Sequence, residues 1–244
     1  MVSSTSDETA GRDGGLYSRA FLALCLVYFL NSFISSPFSS LFPVYIEADL
    51  QRPPWFTGYL RALMLLIGGI FAVVAGRLCD RFGCKTTLII GLIGSSLTGL
   101  VFRTGDPWGL SLLLFAMGAA NGPWSTAGQS ILINAITPAR LGLGGGIYFL
   151  SNTIGNSLGS LCTGLVKTDY SFAQIGTAMS IGMLAVIAVA FVSLPGDAPA
   201  AHSIPTTRLS TWAAYRPLLG RRDVHLLLSL RLTITTFWGM AALA

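Results

Sequence analysis

The chain has 244 residues, of which 52% are hydrophobic and only 10% charged, and its mean hydropathy is +0.67. A soluble domain carries about a quarter of its residues as charges, so the composition excludes an ordinary soluble protein and points to an integral membrane protein. The formal charge of +5 does not imply nucleic acid, because the bases sit in short loops between apolar runs, where they set orientation in a bilayer.

Residues 1–18 are polar, with Asp7, Glu8 and Asp13 and no apolar period. They read as a disordered cytoplasmic tail without a cleavable signal. A first apolar run covers residues 20–46; crossing a bilayer takes about 20 helical residues, and Pro37 and Pro43 are expected to bend or end its far half. Glu47, Asp49, Arg52 and Pro53-Pro54 make a polar loop before a second span over residues 55–75. A charged stretch, residues 76–88, leads into a third span over 86–102 and a turn over 103–107. The fourth span, 108–136, is interrupted by Gly122-Pro123, and Thr137 to Arg140 form the next turn. A fifth span takes 142–166, a turn holds Lys167 and Asp169, and a sixth takes 172–194. Residues 195–224 read as a cytoplasmic loop, and a seventh apolar run over 225–244 is cut short where the sequence stops.

Alternating the loops places Arg12, Arg19, Arg77, Arg81, Lys85, Arg140, Arg208, Arg216, Arg221 and Arg222 on one side, against Arg52, Arg103 and Lys167 on the other. The basic side is the cytoplasmic one, so the N-terminus is expected inside. Trp55, Trp108 and Trp212 fall near helix ends, where amphipathic rings prefer the membrane interface.

The charged stretch reads Gly76-Arg-Leu-Cys-Asp80-Arg81-Phe-Gly83-Cys-Lys85-Thr-Thr-Leu88. Its spacing, G-x-L-x-D-R-x-G-x-K-x-x-L, resembles the loop between the second and third membrane helices of the major facilitator superfamily. The resemblance implies that Gly76 lets two helices approach, that Asp80 pairs with a neighbouring helix end, and that Arg81 and Lys85 hold the loop in the cytoplasm. Gly76, Asp80, Arg81, Gly83 and Lys85 are thus expected to form a conformational-switch motif. Cys84 departs from the second base usual there. The implied fold is an all-α membrane protein: a six-helix bundle of two inverted three-helix repeats over residues 19–194, plus a partial seventh helix. The repeat has a faint echo in Gly76-Arg-Leu-Cys and Gly159-Ser-Leu-Cys, at matching ends of the second and fifth spans. The implied activity is movement of a small organic solute by alternating access. The expected partners are the lipid bilayer, a small-molecule substrate and a C-terminal transporter half, with no nucleic acid.

Polar side chains are costly in hydrocarbon and tend to face a bundle interior or a wet cavity. The first span has Tyr28, Asn31 and Ser35 on one face, the fourth has Asn121, Ser125 and Gln129 beside Trp124, and the fifth has Tyr148, Asn152 and Asn156. Asn31, Arg61, Asn121, Trp124, Gln129, Asn152 and Asn156 are therefore the candidate cavity residues, while the third and sixth spans are expected to face lipid. The alternative is that the amides cross-link helices in a dry bundle. Arg61 lies about two turns into the second span, roughly 9 Å from Trp55 at 1.5 Å per residue. It could snorkel to the outer surface, meet an anionic substrate or pair with a carboxylate of the other half.

No acid lies in mid-span and no histidine in the first six spans, so a proton-coupling group is not evident there. The drug/proton antiporter signature on the fifth span is only partly matched at 155–160, and Leu114 stands where a base is expected; both argue against that subclass. The small pairs Gly118/Gly122, Gly142/Gly146 and Gly155/Gly159 are expected to permit close helix packing. Cys25, Cys79, Cys84 and Cys162 give no metal or redox pattern. No catalytic set, metal cluster or phosphate loop is present in the sequence, so neither an enzyme nor a cofactor is expected. The second functional alternative is a truncated, non-transporting membrane protein acting as a partner or regulator, or an incomplete gene product.

Overall fold

The computed structural model describes residues 18–196 and, beyond them, residues 224–226, 229, 230 and 233. The expected tail, almost all of the 195–224 loop and most of the seventh run lie outside the described residues. Every regular element described is helical: α1 (Arg19–Val44), α2 (Pro54–Phe82), α3 (Cys84–Ser95), α4 (Thr98–Val101), α5 (Pro107–Ala135), α6 (Leu141–Val166) and α7 (Phe172–Ser193). A π-helical turn, Tyr45–Asp49, extends α1, and a 3-10 turn, Pro138–Arg140, leads into α6. Four stretches, Arg19–Asp49, Pro54–Phe82, Cys84–Val101 and Phe172–Ser193, are long and apolar enough to cross a membrane. The protein is an all-α, multi-pass membrane bundle.

Local chemistry sets the helix starts. The Ser18 hydroxyl accepts from the Phe21 amide at 3.3 Å, and an Asp106 carboxylate oxygen accepts from the Gly109 amide at 2.8 Å. Ser171 and Gln174 form a reciprocal capping box at α7. Pro54 and Pro107 occupy first-turn positions, where a missing N–H is harmless.

Two elements differ from the sequence expectation. The charged stretch is mostly not a loop: α2 continues through Phe82, and the chain turns at the single residue Gly83, with φ 90° and ψ 153°. A side chain is strained in that region, so glycine is what allows so abrupt a link between α2 and α3. The third span, expected as one helix, is divided into α3 and α4 at Ser96 and Leu97. Ser95, Ser96 and Thr98 hydroxyls donate to the carbonyls of Gly91, Ile93 and Ser95, and such local bonds compete with the helical ladder.

α1 packs chiefly on α6, and α2 on α5; α3 lies against α5, and α7 against α1, α3 and α4. α1 runs through both buried clusters. Phe21, Leu24, Val27 and Tyr28 join Leu88, Trp124 and Met183 in one, and Phe38, Phe42 and Tyr45 join Leu60, Phe102 and Leu114 in the other. A second compact unit comprises Ala200–Ala244. Its described residues are helical, with the Ser229 hydroxyl donating to the Leu226 carbonyl at 2.9 Å.

Candidate substrate cavity

The two main helix pairs are close enough for backbones to touch, and glycine makes that possible. A Cβ at Gly118 or Gly122 on α5 would meet the α2 backbone at Met64, Gly68 and Ala72. A Cβ at Gly155 or Gly159 on α6 would meet the carbonyls of Phe29 and Phe33 on α1. These four positions behave as the spacing suggested. Gly142 and Gly146 do not, since open space surrounds both.

Asn152 sits on the α1–α6 seam, half-buried, and its Nδ2 donates to the Ser32 hydroxyl at 2.7 Å. Asn31, the residue before Ser32, is buried at 8% exposure, and its Oδ1 has no hydrogen-bond partner. One turn beyond Asn152, Asn156 is exposed. On α5, Asn121 is exposed beside α2, with its Nδ2 3.5 Å from where a Cβ on Gly68 would lie. Gln129, two turns further along α5, is also exposed. The seven candidates thus separate into exposed amides (Asn121, Gln129, Asn156) and groups held inside the bundle.

Trp124 belongs to the second set. It is 6% exposed and stacks on Tyr28, with ring centroids 4.1 Å apart and planes 18° from parallel. Tyr148 joins from α6 at 4.4 Å from Tyr28. The Tyr28 hydroxyl donates to the Trp124 carbonyl at 3.1 Å and rests on Gly128, where a Cβ would clash with it. This Tyr28–Trp124–Tyr148 cluster ties α1, α5 and α6 together. Sequence reasoning placed the two tyrosines on polar stripes but did not join them to Trp124; the small residue at Gly128, one turn after Trp124, was the available signal. Pro123, buried, sits within a continuous α5.

Arg61 has a role that the sequence did not suggest. It is half-buried, and its Nη2 donates to the Ser39 carbonyl on α1 at 3.0 Å. Ser39 lies four residues before Pro43, which has no N–H to offer that carbonyl. The guanidinium supplies the missing donor.

In the charged stretch, Lys85 reaches the far end of α7. Its Nζ donates to the carbonyls of Phe191 at 2.8 Å and Leu194 at 2.6 Å and lies 5.3 Å from the Phe191 ring centroid. Unpaired carbonyls and a negative helix dipole make a helix C-terminus a natural seat for a cation. Arg81 is exposed and lies over the neighbouring Phe82 ring. Gly76 is half-buried with open space around its Cβ position. Asp80 is exposed and pairs with no other described residue. Among the described residues there is no cluster of three or more metal-ligating side chains.

Residues 24–244 match the sequence pattern of the Major Facilitator Superfamily. Among characterised proteins, the chain is similar to Multidrug resistance protein MdtG of Salmonella typhimurium, with 27% identity over 144 residues, 57% of this chain and 35% of the relative. The protein of the same name from Salmonella arizonae is 29% identical over 144 residues, with the same coverage. The matched stretch therefore spans about a third of the length of these curated relatives.

Proposed function

The chain belongs to the major facilitator superfamily, and from that premise we propose that it moves a small organic solute across a membrane by alternating access. The exposed amides on glycine-packed helices carry this reading: Asn121, Gln129 and Asn156 hydrogen-bond no other described residue, although they sit in helices built to bury their seams. Polar groups in such positions suit a wet pathway. We assign α5 and α6 as further spans, giving six over residues 19–194 arranged as two inverted three-helix repeats, with residues 225–244 starting a seventh. The N-terminus is cytoplasmic, as the distribution of bases supports. Asn31, Asn152 and Trp124 back the pathway wall from inside, Arg61 fastens α2 to α1 beside it, and a C-terminal transporter half supplies the opposite wall.

The relatives are named as multidrug resistance proteins, so the solute class we favour is apolar or amphipathic organic molecules. The missing base at Leu114 bears on ion coupling rather than on solute class, and Leu114 is fully buried. Gly76, Asp80, Arg81, Gly83 and Lys85 act in switching between the inward- and outward-open states.

Dye accumulation in membrane vesicles tests both assignments. Asn156→Ala and Asn121→Ala should weaken apparent dye affinity several-fold. Asp80→Asn and Lys85→Met should slow turnover and leave affinity nearly unchanged. Vesicles that contain the chain together with the C-terminal half and still behave like empty ones would contradict transport and favour the partner or regulator alternative. Loss of affinity in Asp80→Asn with normal turnover would refute the switch assignment.

A further inference from the structure

The end of the bundle opposite the charged motif carries two grooves that meet at Ala178 on α7. The first, about 400 Å³, is lined by Arg103, Ala173, Gln174, Thr177, Ala178 and Ile181. From Ala173 to Ile181 it follows α7 for about 12 Å at 1.5 Å per residue. The second, about 240 Å³, lies between α1, α6 and α7, where Pro37, Cys162, Thr163 and Met179 join Ala178.

The threonine hydroxyls along both grooves are already spent. Thr177 donates to the Ala173 carbonyl at 2.8 Å, and Thr163 to the Gly159 carbonyl at 2.7 Å. What remains below the mouth is apolar and suits hydrocarbon rather than a polar solute. The mouth is different. Arg103 is exposed, and its guanidinium hydrogen-bonds no other described residue. The Gln174 Oε1 accepts from the Ser171 amide at 2.9 Å and from the Ser171 hydroxyl at 3.1 Å, and the Gln174 side-chain nitrogen Nε2 donates to no described residue. No acidic side chain lines either groove. Two unspent donors, one cationic, therefore line the first groove, and the second, largely apolar groove adjoins it at Ala178.

We propose that this surface holds one anionic phospholipid astride α7. The phosphate sits against Arg103 and Gln174, and one acyl chain occupies each groove with Ala178 between them. Charge complementarity at the mouth selects the anionic headgroup, and the paired grooves select a two-chain lipid over a free phosphate. The site lies on α7, away from the amides assigned to the solute, so its failure would leave the transport proposal standing.

Native mass spectrometry of the protein in mild detergent reads the complex directly. Dioleoyl-phosphatidylglycerol should remain bound in preference to dioleoyl-phosphatidylcholine, which has the same tails. Arg103→Gln should lower phosphatidylglycerol retention about fivefold, the loss expected when one base near an anionic headgroup is removed, and Arg103→Lys should largely restore it. Ala178→Phe, which fills the junction of the grooves, should lower retention of both lipids. Glycerol phosphate, the headgroup without tails, should not displace the lipid. Equal retention of phosphatidylglycerol by the wild type and Arg103→Gln would overturn the proposal, as would displacement by glycerol phosphate. Arg103 is on the surface, so that comparison stands even if Ala178→Phe fails to fold.

Discussion

The α1–α6 and α2–α5 seams are built by the same device and hold different chemistry. In each, one helix contributes two glycines four residues apart, and its partner contributes bare backbone. At α1–α6 the contact is reinforced by the Asn152–Ser32 hydrogen bond, with the buried Asn31 next to it. At α2–α5 the nearest equivalent is the Thr126 hydroxyl reaching the Ala72 carbonyl at a long 3.4 Å. Instead of an amide pair, α2 carries Arg61, which reaches across to α1. Close packing is thus shared between the seams, whereas their polar groups differ: an amide–hydroxyl bond at one and, beside the other, an arginine that reaches a proline-freed carbonyl. Without a hydrophobic force to press helices together in lipid, small residues and van der Waals contact must do so.

Replacing the glycines is the strongest way to break this comparison. Gly159→Leu and Gly122→Leu should each destabilise the bundle by about 3 kcal/mol, the upper range for overpacking, because backbone cannot move aside as a side chain can. Gly142→Leu, in open space, should be tolerated. Thermal stability in detergent measures all three, and equal effects at Gly142 and Gly159 would mean that the seams are not where the strain arises.

A smaller effect is expected at the bridge between the pairs. Arg61→Met removes a charged donor from a proline-freed carbonyl and should cost about 1.5 kcal/mol, the low end for hydrogen bonds to charged groups. Arg52→Met, at an exposed loop position, serves as the control. A Pro43→Ala background, which restores the backbone N–H, should reduce the Arg61→Met penalty; an unchanged penalty would remove the capping role. The smallest effect belongs to Asn152 and Ser32. A double-mutant cycle with alanine should give about 0.6 kcal/mol of coupling, typical of interhelical hydrogen bonds in membranes. A coupling near zero would make the two seams equivalent in chemistry as well as packing.

Much of the helical layout was legible in the sequence because apolar length and loop charge are local signals. The ends of α5, α6 and α7 fall within about one residue of the expected spans. The third span was legible as an apolar stretch, but its division into α3 and α4 was not, because three hydroxyl side chains bond locally around Ser96, an effect that apolar length does not report. α2 ran longer than expected because Arg77, Asp80 and Arg81, taken as loop residues, fit the solvent-facing end of a helix that stops only at Gly83. The roles of Arg61 and Lys85 were out of reach for another reason. Each acts on a carbonyl of a distant helix, and a carbonyl carries no residue type to read. The amide stripes were legible as stripes, but which amides are buried depends on the packing of α1 against α6.

Thiol labelling with a membrane-impermeant reagent tests the proposed solvent-lined pathway most directly, using single cysteines at Asn121, Gln129 and Asn156 in an otherwise cysteine-free, transport-competent protein. All three are expected to react, a transported solute to slow the reaction, and a cysteine at Leu184, exposed on α7, to stay unreactive in the bilayer. If the three amide positions prove as inert as Leu184, they face lipid or a dry interface, and the pathway assignment is contradicted.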